Sequence, residues 1–130
     1  MIVVDASAVL ELLLRTEKAV ALDALLLNGL ETMHAPHLLD VEIVQTLRRL
    51  VLGAQLTGSR AAQAIDDFTQ LVIERHAHTD LLARAWQLRS SITAYDAMYV
   101  ALAEALDAPL VSCDTRLGRA HGHGATIRIV

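Results

Sequence analysis

One cysteine, Cys113, and one lysine, Lys18, occur among the 130 residues, and each scarcity removes a class of explanation. A lone thiol forms no internal disulfide and no thiolate cluster for zinc, so Cys113 is expected in the core. Long apolar runs are missing too. Hydrophobic residues make up 54% of the chain and mean hydropathy is +0.41, yet charges interrupt every run well short of the roughly 18 residues that span a bilayer. The expectation is a soluble protein with an apolar interface and no membrane contact. Met1 to Asp5 carries neither the basic region nor the small-residue cleavage site of a secretory signal, which points to the cytoplasm. Basic surplus is lacking as well: the net charge of −4 has the wrong sign for a general nucleic-acid coat, so any contact with nucleic acid must be local. The length fits one domain, residues 1–130, able to bury about two-thirds of the surface its unfolded chain exposes.

What is present is an alternation of short apolar strands with helices. Ile2-Val3-Val4 reads as a buried strand, followed at once by a helix from Ala8 to Leu14. Glu17 to Leu27 is helical in spacing and stops near Asn28-Gly29, before a brief strand at Thr32-Met33-His34. Beyond Pro36, Leu39, Ile43, Leu47 and Leu50 recur at helical intervals between Leu38 and Leu52, and Gly53 closes that helix. Ser59 is a candidate cap for a helix reaching about Ile73, and Thr79 for one through Arg89, with an ambiguous strand between Glu74 and His78. Thr93 to Leu106 is a further helix whose Thr-Ala-Tyr-Asp start has the spacing of a capping box. Leu110 to Cys113 and Ile127 to Val130 read as the last strands, separated by the glycine-containing loop His121 to Gly124. This pattern predicts an α/β fold with about five parallel strands flanked by about seven helices. In such sheets ligands bind beyond the carboxyl ends of the strands, where Asp5 and Asp114 stand.

Asp5, Glu42, Asp96 and Asp114 are the candidate site acids, and each alone has a plainer explanation. Asp5 and Asp114 are good helix caps, Asp96 suits the first turn of its helix, and Glu42 can pair loosely with Arg49 on a solvated face. Together they say more: two end strands, and two lie on helices that would pack beside those ends. Gathered carboxylates raise one another's pKa values unless a cation neutralises them. Oxygen-only ligands suit Mg2+ or Mn2+, and a hard divalent ion beside strand ends favours phosphodiester hydrolysis. Rival folds fail on particular residues. A receiver domain or a haloacid-dehalogenase-type phosphatase wants a lysine near the site, and the phosphatase also wants an acid where Ser7 stands. Neither glycine-rich phosphate-binding pattern occurs.

Val3-Val4-Asp5-Ala6-Ser7-Ala8, Pro36-His37-Leu38-Leu39-Asp40-Val41-Glu42, Thr93-Ala94-Tyr95-Asp96-Ala97 and Leu110-Val111-Ser112-Cys113-Asp114 resemble the PIN-domain family, and its VapC-type toxins in particular. The resemblance spans nearly the whole chain. It implies a single PIN-like domain in which Asp5, Glu42, Asp96 and Asp114 are catalytic and hold Mg2+ or Mn2+, with Ser7 a nearby hydroxyl. It further implies a toxin of a type II toxin-antitoxin pair that cuts RNA by metal-activated water, leaving a 5′-phosphate and a 3′-hydroxyl. A small cognate antitoxin and a homodimer come with it. Gln45 replaces the Asn of the family's Glu-x-x-Asn pattern, Ser112 replaces a common Thr, and Thr115 and Arg116 stand where some relatives carry another acid, leaving fewer ligands for a second ion. The alternative function is a PIN-like scaffold that binds RNA or a partner without cutting.

Among the remaining residues, Ser7, Arg48, Arg49 and Thr93 are candidate substrate contacts, and Arg15, Arg84, Arg89 and Arg116 could add phosphate contacts. Tyr95 and Tyr99 are expected in core or dimer packing and Trp86 in the core. His76-x-His78 and His121-x-His123 have metal-ligand spacing but no visible third ligand, so zinc is not expected there. Apolar residues between Leu22 and Leu30 and between Ile65 and Ile73 suit either a filled core or a dimer or antitoxin surface.

Overall fold

β1 (Ile2–Val4) is apolar on both faces and at most 1% exposed at any residue, the pattern of a strand in the middle of a covered sheet. The computed structural model, which describes residues 1–130, puts it there. β2 (Met33–Pro36), β3 (Ile73–His76), β4 (Leu110–Ser112) and β5 (Ile127–Ile129) join it in the order β3-β2-β1-β4-β5, every pairing parallel. The chain therefore lays down one half of the sheet outward from β1, then returns to build the other half. The strand order reverses between β1 and β4, which makes their carboxyl ends the topological switch point.

Six α-helices and two short 3-10 turns surround the sheet, close to the expected number: α1 (Ala6–Leu13), α2 (Ala19–Leu26), α3 (Leu38–Leu52), α4 (Gly58–Gln70), α5 (Leu82–Gln87) and α6 (Ala94–Leu106), with turns at Thr79–Leu81 and Leu117–Arg119. No helix is long and apolar enough to cross a membrane. On α3 the stripe Leu39, Ile43 and Leu47 is at most 1% exposed. Burial of each contributes about 1.5–3 kcal/mol, enough to offset the cost of keeping Glu42 half-buried beside them. α6 packs against β1, β2 and β4 through an almost wholly buried Tyr99 to Ala103 segment, which brings its first turn over the switch point.

Several local expectations are corrected. Thr57, not Ser59, caps α4: its backbone is extended and its hydroxyl accepts the Arg60 N–H, while Ser59 already lies in the first turn. That helix stops at Gln70 rather than Ile73, because Val72 and Ile73 are β-branched and Ile73 begins β3, where it pairs with Met33. Thr79 starts a 3-10 turn and its neighbourhood has no side-chain cap. Trp86 is 68% exposed, since the apolar stripe of its helix is Leu81, Ala85 and Leu88 and Trp86 falls outside it. Its ring instead carries the Arg89 guanidinium at 4.5 Å, a cation–π pair. Tyr95 is exposed while Tyr99 is buried, and Cys113 is only partly buried.

Candidate active site

Asp5 ends β1 with an extended backbone and caps α1, accepting the Ala8 N–H on Oδ1 at 3.0 Å. The plain role is therefore real, but it uses a fraction of the carboxylate. The Ser7 hydroxyl donates to the same oxygen at 2.7 Å and the Ser112 hydroxyl to Oδ2 at 2.5 Å. In turn the Cys113 N–H donates to Ser7 Oγ at 2.8 Å and the Asp114 N–H to Ser112 Oγ at 3.0 Å. Two serines thus stitch the end of β1 to the end of β4 and fix the Asp5 rotamer. Burial raises the Asp5 pKa and the Asp114 charge adds to the rise, outweighing the three bonds that lower it.

The other acids reach the same place from different elements. Thr93 caps α6 by accepting the Asp96 N–H at 3.2 Å, whereas the Asp96 carboxylate makes no reciprocal bond, so only half of the capping box forms. Burial raises the pKa of Asp96, and the charges of Asp114 and Asp5 raise it further. Asp114 is the exception: Arg116 grips it through Nε at 3.2 Å and Nη2 at 3.1 Å, and holds its pKa below the ordinary carboxylate value. Glu42, one turn into α3, is pushed up to about 7 by burial and by the charges of Asp96 and Asp5. Its Oε1 is buried without a hydrogen-bond partner, as is the Tyr99 hydroxyl nearby.

All four acids line one cleft of about 410 Å3, together with Ser7, Thr93 and Arg49. Arg48 does not belong to it. One residue along a helix is a rotation of about 100°, and Arg48 lines an apolar groove between α3 and α4 instead. Gln45 is exposed, and Thr46, a turn beyond Glu42, faces the cleft. Of the further arginines, Arg116 lies in the cleft, and with Arg89 it lines an adjoining hollow of about 470 Å3 containing Ser90, Ser91, Thr93 and Asp96. Arg84 is bound to Glu104 and Arg15 to Asp23, both away from these hollows. The serine pair and Arg116 were the least visible parts of the site, because their roles depend on contacts across strands or on a turn.

The donor set fits a hard divalent cation. It offers carboxylate oxygens only, one of them a buried orphan, and burial, with their mutual repulsion adding to it, raises three of the four pKa values. The carboxylate oxygens are not drawn within 4.8 Å of one another in any group of three. That spread suits an ion such as Mg2+, which keeps several waters and takes few ligands directly from protein. Because Ser112 orients Asp5 and secures the Asp114 turn at once, Ser112→Ala is expected to lower both metal affinity and any cleavage about 10–100-fold. Ser112→Thr, which keeps the hydroxyl, is expected to restore most of each, measured by Mn2+ titration and a cleavage assay.

A parallel sheet with this strand order and four acids gathered at its switch point is the arrangement that the resemblance to the PIN-domain family implies. The PIN domain family model matches residues 2–122, and the chain belongs to that family. Within it, the chain is similar to VapC ribonucleases: it is 42% identical over 130 residues to Ribonuclease VapC12 of Mycobacterium tuberculosis, covering 100% of this chain and 99% of that one. The fold is shared with VapBC2 from Rickettsia felis, solved bound to a DNA fragment from their promoter, at a TM-score of 0.71 and 14% identity over 99% of this chain and 98% of that one. It is shared also with Mycobacterium tuberculosis VapC20, a Sarcin-Ricin loop cleaving toxin, at a TM-score of 0.68 and 15% identity over 95% and 97%.

Proposed function

We propose that this chain is a Mg2+- or Mn2+-dependent endoribonuclease, the toxin of a toxin-antitoxin pair, acting in the cytoplasm and restrained by a small cognate antitoxin. The observation that carries the reading is the convergence of Asp5, Glu42, Asp96 and Asp114 on one cleft with an unpartnered Glu42 oxygen. RNA as substrate rests on the similarity to VapC ribonucleases. The antitoxin rests on the likeness to VapBC2, the homodimer on the resemblance to the PIN-domain family, and both on exposed apolar side chains such as Val44, Leu52, Leu30 and Val72.

Asp5, Asp96, Asp114 and Glu42 would hold the ion, which when bound supplies Lewis-acid stabilisation of the phosphate and an acidified water. Asp5 is preorganised by its two serines, so little rearrangement is needed there on binding. Glu42 is the group able to exchange a proton near pH 7, the range in which a general base or acid works best. Arg49 and Arg116 face the same cleft and are placed to bind phosphate oxygens of the RNA backbone, with Arg89 continuing that path into the adjoining hollow. Ser7 and Thr93 act as positioning residues, because their hydroxyls are committed to Asp5 and to the Asp96 N–H.

Purified, antitoxin-free chain incubated with cellular RNA is expected to yield discrete fragments with 5′-phosphates in Mg2+ or Mn2+ and none in chelator. Folded chain that cuts no RNA under any of these conditions would replace the nuclease with a binding scaffold.

A further inference from the structure

His34, Glu74 and His76 come from neighbouring strands of the half-sheet away from β4. β2 and β3 run parallel with His34 opposite Glu74 and Pro36 opposite His76. Side chains alternate along a strand, so Glu74 and His76 project on one face, and the register sets His34 beside both. His34 Nδ1 lies 3.0 Å from His76 Nε2, and the Glu74 carboxylate places one oxygen 3.6 Å from the first nitrogen and the other 3.9 Å from the second. A ligand atom from each residue lies within 4.8 Å of the others, the one group of three in the chain that meets this condition.

We propose that these three residues form a second cation site, selective for a borderline transition ion such as Zn2+, Co2+ or Ni2+. Two imidazole nitrogens each about 2.05 Å from an ion and 3.0 Å apart subtend about 95° at it, within the range such ions accept. One carboxylate completes a two-histidine, one-acid set and leaves positions for water. Behind it stands an outer partner of the kind metal-binding histidines have: the Thr32 hydroxyl lies 2.9 Å from His34 Nε2, so a proton on that nitrogen leaves Nδ1 free to ligate. His34 is 5% exposed, and burial lowers its pKa, favouring the neutral ring that ligation needs. Ring nitrogens and one carboxylate are a poor match for Mg2+, which prefers oxygen alone, so the site is chemically distinct from the acid cleft.

An ion here would tie the edge strand β3 to β2. It would also brace the start of α3, since the His37 N–H donates to the His76 carbonyl at 3.0 Å and the Leu38 N–H to His78 Nε2 at 2.9 Å. The plain alternative is a histidine pair sharing one hydrogen bond beside an exposed glutamate. Co2+ titration of untagged, chelator-treated protein in excess Mg2+, followed by visible absorption, separates the two. The site predicts saturable absorption bands at one Co2+ per chain, displaced by Zn2+, and a higher melting temperature in Zn2+. His76→Gln and Glu74→Gln change partly and largely exposed side chains and should keep the far-ultraviolet dichroism of the parent. They are expected to weaken Co2+ binding by more than the roughly 10–100-fold that loss of an outer partner causes, while Asp96→Asn leaves it unchanged. No saturable absorption, or equal absorption in His76→Gln, would overturn the proposal.

Discussion

Asp96→Asn is expected to lower RNA cleavage by about 10³-fold or more, the loss that follows when several kcal/mol of metal-supplied transition-state stabilisation is removed. The fold should survive. What α6 needs from residue 96 is its backbone N–H, bonded to the Thr93 hydroxyl at 3.2 Å, and Asn keeps that group. The Asp96 carboxylate does not complete the capping box, and its charge opposes those of Asp114 and Asp5. Neutralising it should therefore raise the melting temperature of metal-free protein slightly while abolishing turnover. Asp5→Asn should be equally inactive but less neutral to the fold, since an amide nitrogen would face either a serine hydroxyl that now donates or the Ala8 N–H. The pair of variants, compared by thermal melting and single-turnover cleavage, separates the duty of charge from the duty of capping.

Glu42→Gln is expected to stabilise the metal-free chain at alkaline pH and to flatten its pH dependence. The folded pKa of Glu42 is raised from 4.5 to about 7, so the folded state prefers the protonated form. The stability tied to that proton is fully present below pH 4.5 and is lost as pH rises through about 7. For a half-buried group reached by solvent the loss is discounted to about 1–2 kcal/mol, or about 3–8 °C in melting temperature. Asp5 and Asp96, also raised, add to the trend in the same direction. Mg2+ should reverse it near pH 8 in the parent chain by neutralising the cluster, and should stabilise Glu42→Gln much less. Melting curves from pH 4.5 to 8.5, with Mg2+ and with chelator, check both parts. A parent chain whose metal-free stability is flat across that range would contradict the electrostatic account of the cleft.

Local pattern made much of this fold readable. β1 and β4 are short, mainly apolar strands with an Asp one or two residues beyond their ends, α3 repeats its apolar residues at helical intervals, and Thr93 marks the start of α6. Strand ends in a parallel sheet are where ligands gather, so Asp5 and Asp114 pointed at the cleft before any geometry was known. The PIN resemblance added Glu42 and Asp96 through order and spacing. What stayed hidden was non-local or angular. Leu71, Val72 and Ile73 form one apolar run, in which the β-branching of Val72 and Ile73 is only a weak local bias and the pairing of Ile73 with Met33 decides where β3 begins. Arg48 and Arg49 are equivalent on paper, but helix rotation sends them to different grooves. His34 and Glu74 are 40 residues apart and meet only because β2 and β3 pair in that register.

The most direct test of the central claim is to measure Mn2+ binding and RNA cleavage on the same samples of the parent chain and of Asp96→Asn, with chelator as control. Binding at the acid cleft and metal-dependent cutting, both lost in an Asp96→Asn chain that still melts cooperatively, is the predicted result. Cleavage that persists in chelator, or that is undiminished in Asp96→Asn, would contradict the assignment of the four carboxylates as the metal-dependent nuclease site.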